Sequence, residues 1–523
     1  MGIPSYYRKL VGSVGGLLYK TKPGTLVASG SQWLLMDFNC LIYHVLRDKK
    51  RAEYPCVESI ERDRWLERLY DDIVRYTMRV IRGAGAENVY IAIDGVVPMA
   101  KIRQQRMRRF KSAAAASTGF DTNAITPGTD FMKGLRVALE EMIHDNHKQD
   151  KWILSSADDP GEGEHKILHH LRHLNKESSV CTDLSNKDKR PFIVYGLDGD
   201  LIVLLLWTQA LGITNESSIW LYREDVDEEG SQEDKYCWFS IDRLRDYLTD
   251  SEKVEIREYC AAMMLLGNDF LPTSLTFKIK DGGHNFLLGW LKTSLERGEH
   301  FLNEKGELLM PAWMRLFRQL AAVEERRFLE AIQKKWRMVP KNPEEELPLE
   351  WRDEKVFLKN PFASSDALEL HEDWREIYAQ HIFHTMPGCE EVAVSNAVDS
   401  YFKTMYWIVD YYTGKAVDNT WAYSWLMPPL WKDIAASKGQ YIAPLISEGF
   451  VELDAEEQLA LVLPEKSWWL IPRVHRAAQF MESAPEFFPA KFGYESIGKR
   501  FNWEAEPKIP IPSISQLRAI TLG

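Results

Sequence analysis

The stretch VYIAIDGVVPMAKIRQQRMRRFK, residues 89–111, decides how the rest of the chain is read. Val89–Asp94 predicts a strand that ends in a carboxylate, and Pro98–Lys111 predicts a helix. Between 101 and 111 this helix carries six basic residues and no acid. Lys101, Gln105 and Arg108 fall at i, i+4 and i+7 on one face, and Arg109 lies beside Gln105. Such a face suits a phosphate: a point charge from lysine, a fork from arginine, an amide donor from glutamine. An acid just before the helix and cations along it point to a metal-assisted enzyme that grips one phosphate and cuts at another. The plain alternative is a solvated charge run, and this segment alone does not decide between them.

Outward from this stretch, strands and helices alternate. WLLMD (33–37) predicts a buried strand ending in Asp37. A helical period runs from Asp63 to Ile81, closed by Gly83 and Gly85. The basic helix is expected to run to about Ala116. Ile125–Gly128 is a turn into a helix ending near Asn146. Trp152–Ser155 predicts a strand, with a helix from about Glu162 to Leu174. Phe192–Leu197 predicts a strand, followed by a helix through Leu211 and a strand at Ile219–Arg223. This order implies an α/β fold: a mostly parallel central sheet flanked by helices. Sites in such sheets form beyond the carboxyl ends of the strands, where Asp37, Asp94 and Asp198 are expected.

From about 251 the pattern turns helical. Glu252–Leu266 predicts one helix, stopped by GNDFLP, and 312–337 a long amphipathic one. Residues 340–400 read as an acidic, loop-rich insertion. Residues 401–431 are rich in aromatic side chains, and 500–514 read as a Pro-interrupted extended stretch.

Glu162-Gly-Glu164 and Asp198-Gly-Asp200 each place two carboxylates two residues apart, and Asp269 sits at a helix end. With Asp37 and Asp94 they make seven acids at element ends beside a glycine or a turn. A single such aspartate is ordinarily a helix cap or a surface turn. Seven converging carboxylates would repel unless cations neutralised them. Oxygen ligands suit Mg²⁺ or Mn²⁺, and a pair of ions about 3.5–4 Å apart would activate water and stabilise the leaving oxygen of a phosphodiester. His165 matches a hard-metal site poorly and reads as a core or supporting residue.

Composition is that of a soluble globular chain: 523 residues, 45% apolar and 27% charged. A formal net charge of −12 argues against a general polyanion binder, so any nucleic acid must meet a local basic patch. The six cysteines form no CxxC pair, which leaves no support for a zinc ribbon and suggests reduced thiols. No secretory h-region and no apolar run of membrane-spanning length is evident. The expectation is an intracellular protein, with the cytoplasm ahead of the nucleus.

The segments MGIPSYYRKL, LLMDFN, YIAIDGVVPMAKIRQQRMRRFKS, FDTNAITPGTDFM, PGEGEHKI, VYGLDGDLIVL and LLGNDFLP together resemble the Xrn family of 5′→3′ exoribonucleases. A weaker match continues in YWIVDYYTG, LALVLPEKSWWLIP and IGKRFNWE. The resemblance implies a PIN/flap-nuclease-like nuclease domain over 1–250. Over 251–523 it implies a mainly helical second conserved region packed on that domain, with 298–400 a variable insertion. It also implies processive, Mg²⁺-dependent hydrolysis of single-stranded RNA from a 5′-monophosphate end. Asp37, Asp94, Glu162, Glu164, Asp198, Asp200 and Asp269 would be the catalytic, metal-binding acids, and Lys101, Gln105, Arg108 and Arg109 the 5′-phosphate pocket. Decapping or RNA-decay factors would be the partners.

The chain also departs from the family. A histidine that stacks on the first bases is replaced by Tyr43, with His44 next to it, and Trp421 is the expected stacking partner. Gly199 stands where alanine is usual. The chain resembles a minimal, C-terminally short member. The rival readings are a flap-type, structure-specific DNA nuclease and a nuclease-dead RNA-binding scaffold. Neither a helix-hairpin-helix nor a loss of acids supports them.

Overall fold

The structure is a computed structural model. It describes residues 2–21, 33–47, 54, 59–114, 119–180, 191–214, 217–225, 236–337, 362–364, 368–437, 453–471, 476–495, 497, 499 and 504–521. Most of the expected IGKRFNWE match lies outside them.

Seven strands form one sheet: β1 (Leu18–Thr21), β2 (Trp33–Asp37), β3 (Asn88–Ala92), β4 (Trp152–Ser155), β5 (Phe192–Tyr195), β6 (Ile219–Glu224) and β7 (Tyr236–Ser240). Their order is β1-β7-β6-β5-β2-β3-β4. The five strands β6-β5-β2-β3-β4 are parallel, whereas β7 and β1 add antiparallel pairs at one side. This is the mostly parallel sheet the alternation predicted, with two strands it did not anticipate. From β2 the chain moves to β3 and β4 on one side, then crosses back to β5 on the other. That reversal opens a crevice at the carboxyl end of β2.

Successive side chains of a strand face opposite sides, and here both sides are covered. Trp33 and Leu35 of β2 and Phe192 and Val194 of β5 enter a core shared with α1 (Tyr6–Ser13) and the apolar helix Gly199–Ala210. Leu34, Met36, Ile193 and Tyr195 enter a second core with the helices Asn39–Leu46, Ser59–Ala84 and Asp130–Asp145. Burial on both faces is why WLLMD reads as a continuous apolar run rather than an alternating one.

The basic helix spans Met99–Ala114. Its apolar side, with Met99, Ile102, Met107 and Phe110, packs on Leu459–Leu463, Phe480, Ile509 and Leu517 from the far end of the sequence. Arg106 is fully buried in this seam and donates to the carbonyls of Leu461 (2.7 Å), Pro510 (3.1 Å) and Phe487. The C-terminal region is therefore packed on the sheet domain through the basic helix.

Three expectations are corrected. The helix placed at 252–266 is Ile256–Ala262, continued by a 3₁₀ turn to Leu266. The loop-rich segment 340–400 contains the helix Trp374–Phe383 and the start of Glu390–Thr413, whose buried rings form a core with Phe328 and Phe362. Its many charges face outward from those helices, while 338–361 and 365–367 lie outside the described residues. The Pro-interrupted terminal stretch gives way to a final helix, Ile514–Thr521. No described helix is long and apolar enough to cross a membrane.

Candidate active site

The strand register sets the site. Asp37 ends β2 opposite Ala92 of β3, and Asp94 follows two residues later. Asn39 Nδ2 holds Asp94 Oδ2 at 2.8 Å, and the backbone N–H of Gly163 holds Oδ1 at 2.7 Å. That N–H belongs to the first turn of the helix Gly163–Val180, where an anion is favoured. A Cβ on Gly163 would lie 2.8 Å from Asp37 Oδ1, 3.0 Å from the Ala92 carbonyl and 3.5 Å from Asp94 Oδ1. Only glycine leaves room for these two carboxylates and the helix start to meet. Asp198 is the N-cap residue of the helix Gly199–Ala210, and Asp200 lies in its first turn.

The acids are largely buried: Glu162 and Asp200 are 2% exposed, Glu164 6% and Asp37 9%. Burial, then the charges of Asp94 and Asp198, push Asp37 well above the usual carboxylate range. Burial and Asp200 do the same to Glu164. Asp200 is raised to about 7 by burial, Asp269 and Asp198, and burial raises Asp94. Asp269 behaves oppositely. Burial would raise it, but the Lys101 ammonium overrides this and holds it at about 2.

Lys101 is the one predicted phosphate ligand found among the acids. Its Nζ lies 2.6 Å from Glu162 Oε2 and 2.8 Å from Asp269 Oδ2. A lysine only 9% exposed must find counter-charges, and these two carboxylates are within its reach. The other three predicted pocket residues continue along the helix. Gln105 is buried, with Oε1 unpartnered. Arg109 is buried, with Nη1 3.1 Å from Asn123 Oδ1 and Nε unpartnered, and burial lowers it to about 10. Asn123 in turn donates to Ser467 Oγ at 2.9 Å, and Ser467 donates to Asp121 Oδ2 at 2.7 Å. Arg108 is exposed.

Glu162, Glu164 and His165 bring ligand atoms within 4.8 Å of one another. Burial lowers His165 to about 3, so its ring is neutral, and it packs on Tyr411 with centroids 3.7 Å apart. Tyr411 donates to Glu162 Oε1 at 2.7 Å. Lys166 Nζ donates to the carbonyls of Ile93 and Ser156, each at 2.7 Å, which ties the helix start to the Asp94 loop.

Among the described residues no ring contact joins the two expected stacking residues, Tyr43 and Trp421, whose expected partners are bases rather than each other. Tyr43 is half-buried, with the Arg47 guanidinium 5.8 Å from its ring centre. Trp421 donates from Nε1 to Thr404 at 3.2 Å, and Lys403 Nζ lies 3.8 Å over its ring. One face of Trp421 is thus already covered by a cation.

Sequence reasoning missed Asn39, Asn123, Lys166, Tyr411 and the inward role of Arg106. Arg106 had a signal, since it lies four residues after Ile102 and four before Phe110 on the apolar side. Tyr411 had none beyond its place among aromatic residues.

A family model described as the XRN 5′-3′ exonuclease N-terminus matches residues 1–216, and one described as the Xrn1 helical domain matches 357–519. The chain is similar to 5′-3′ exoribonuclease 1 of Saccharomyces cerevisiae, at 23% identity over 97% of this chain and 42% of that protein. To 5′-3′ exoribonuclease 1 of Homo sapiens it is 26% identical, over 98% of this chain and 33% of the other. To 5′-3′ exoribonuclease 2 of Arabidopsis thaliana it is 24% identical, over 98% and 66%. The chain thus spans between a third and two thirds of the length of these relatives.

Proposed function

The chain belongs to the Xrn family, and from that premise we propose that it is a 5′→3′ exoribonuclease that removes nucleotides from 5′-monophosphorylated RNA with the help of divalent cations. The observation that carries the reading is the buried carboxylate cluster at the β2 crevice. Four of its members are pushed up by burial and by one another. A cluster of hard oxygen donors that repel in a dry site fits Mg²⁺ or Mn²⁺, held as a pair of ions that would serve two-metal hydrolysis.

In this reading Asp37, Asp94, Glu162, Glu164, Asp198, Asp200 and Asp269 hold the cations. When bound, these supply an activated water and offset charge on the scissile phosphate. Asn39 and the Gly163 N–H orient Asp94, and Tyr411 orients Glu162. Lys101 balances Glu162 and Asp269 until a cation takes that role, which leaves its ammonium for a phosphate. Gln105, Arg108 and Arg109 receive the 5′-phosphate: Arg109 carries an unpartnered Nε donor, Gln105 offers its amide N–H, and Arg108 is exposed. Asn123 and Ser467 hold the Arg109 fork in place. Tyr43 and Trp421 would grip the first bases by stacking.

The test is incubation of the protein with 5′-monophosphate, 5′-hydroxyl and capped RNA, and with matched DNA, in Mg²⁺ and in EDTA. Release of mononucleotides from the monophosphate RNA, abolished by EDTA, is expected. Full activity in EDTA, or cleavage confined to DNA flaps, would refute the proposal.

A further inference from the structure

The helix Glu390–Thr413 comes from the C-terminal region, yet its last turn enters the acid cluster. Two adjacent tyrosines do this in different ways. Tyr411 spends its hydroxyl on Glu162. Tyr412 is 4% exposed, its hydroxyl is shielded from solvent, and that hydroxyl has no hydrogen-bond partner among the described residues. A buried hydroxyl left unpaired is costly, and buried polar groups in folded proteins are nearly always satisfied.

The rings around Tyr412 belong to the elements that carry the acids. Its ring lies 6.2 Å from Phe270, which follows Asp269, and 6.4 Å from His165, which follows Glu164. The Trp207 ring, on the helix Gly199–Ala210 whose first turn holds Asp200, stands edge-on at 6.3 Å. Burial first, then the charges of Asp200, Glu164, Asp269 and Glu162, oppose ionisation of the hydroxyl. Three acid-bearing elements therefore pack on the Tyr412 ring, and none of their oxygens is hydrogen-bonded to its hydroxyl.

We propose that Tyr412 is a binding residue of the cation site, its hydroxyl oxygen accepting a hydrogen bond from a water held by the divalent cation, while Tyr411 is a positioning residue that acts through Glu162. A water bound to a divalent cation is polarised into a strong hydrogen-bond donor, and a neutral tyrosine hydroxyl oxygen can accept from it. The inference rests on the cation-binding reading of the acids.

The experiment is Mn²⁺ calorimetry on the full chain without RNA, together with thermal melts in EDTA, for wild type, Tyr412→Phe and Tyr411→Phe. Tyr412→Phe breaks no bond within the protein, so its melting temperature in EDTA should match or exceed that of the wild type. Its Mn²⁺ dissociation constant should rise about tenfold, the low end for lost outer partners of a metal site. Tyr411→Phe should weaken Mn²⁺ binding and also melt earlier in EDTA, because Glu162 loses a partner. If Tyr412→Phe binds Mn²⁺ as the wild type does, the assignment of Tyr412 is overturned while the acid site stands. A defect seen only once RNA is added would move the hydroxyl to a phosphate oxygen and equally overturn the assignment to water. If the wild type binds no Mn²⁺, the cation reading itself fails, and the role of Tyr412 falls with it.

Discussion

Replacing Lys101 by methionine keeps most of the side chain's length and removes its charge. In EDTA this leaves Glu162 and Asp269 without the ammonium that stands 2.6 and 2.8 Å from them. Removing one partner of a buried pair typically costs about 3–5 kcal/mol. Unfolding entropy near about 2.1 cal/mol/K per residue, over 523 residues, is about 1.1 kcal/mol/K. If the chain melts as one unit, Lys101→Met should therefore melt about 3–5 °C below the wild type in EDTA. Saturating Mg²⁺ changes the comparison, since a divalent cation offers the same carboxylates another counter-charge. The Mg²⁺-induced rise in melting temperature should be larger in Lys101→Met than in the wild type and recover most of the deficit. Scanning calorimetry of both proteins in EDTA and in Mg²⁺ measures all four values. An equal deficit in both buffers would refute the idea that the ammonium and a cation serve the same acids. No deficit in EDTA would show that the ion pairs contribute nothing net.

Arg106→Leu strands three carbonyls in the seam between the basic helix and the C-terminal region. Burial lowers this arginine to about 9, which offsets part of the gain from its bonds. A net loss of about 3–5 kcal/mol in denaturant unfolding is expected, and an unchanged midpoint would contradict the structural role. Arg108→Ala should lower the rate on 5′-monophosphate RNA more than on 5′-hydroxyl RNA at fixed salt. Equal losses would make the exposed guanidinium a general backbone contact. Tyr43→Ala should weaken RNA binding by roughly 1–3 kcal/mol, with Tyr43→Phe nearly neutral; a large loss with phenylalanine would rule out stacking as the reason. Glu495 sits 3.2 Å from His381 Nε2 and 3.4 Å from Lys508 Nζ and accepts from the Ile497 N–H; although burial opposes its charge, these partners hold it at about 2 instead of 4.5. Its folded value is depressed, so its contribution is complete above about pH 4.5 and is lost as pH falls toward 2. The stability gap between wild type and Glu495→Gln should narrow across that window, and a gap constant with pH would refute the assignment.

The positions of the acids were legible because strand-end geometry depends on local pattern. Asp37 and Asp94 close apolar runs, and Gly163 marks the close approach between them. The parallel sheet followed from the same alternation. β1 and β7 were not legible, since an antiparallel edge pair four or five residues long carries little period of its own. The basic helix was half legible. Spacing placed Lys101, Gln105, Arg108 and Arg109 on one side, but it could not show that Lys101 would pair with Glu162 and Asp269, because those partners lie 61 and 168 residues away. The inward turn of Arg106 depends on carbonyls contributed after residue 460, and Tyr411 reaches Glu162 across 249 residues. Such contacts are tertiary facts that no local window encodes.

That same separation imposes a timetable on the newborn chain. The sheet and all seven acids are translated before the tyrosine that steadies Glu162. At roughly 5–20 residues per second, the 249 residues from Glu162 to Tyr411 take about 12–50 s to make. The reverse face of the basic helix must wait longer, until Leu461, Phe487 and Pro510 have left the ribosome. Through that interval the buried acids stand without the hydroxyl that holds Glu162.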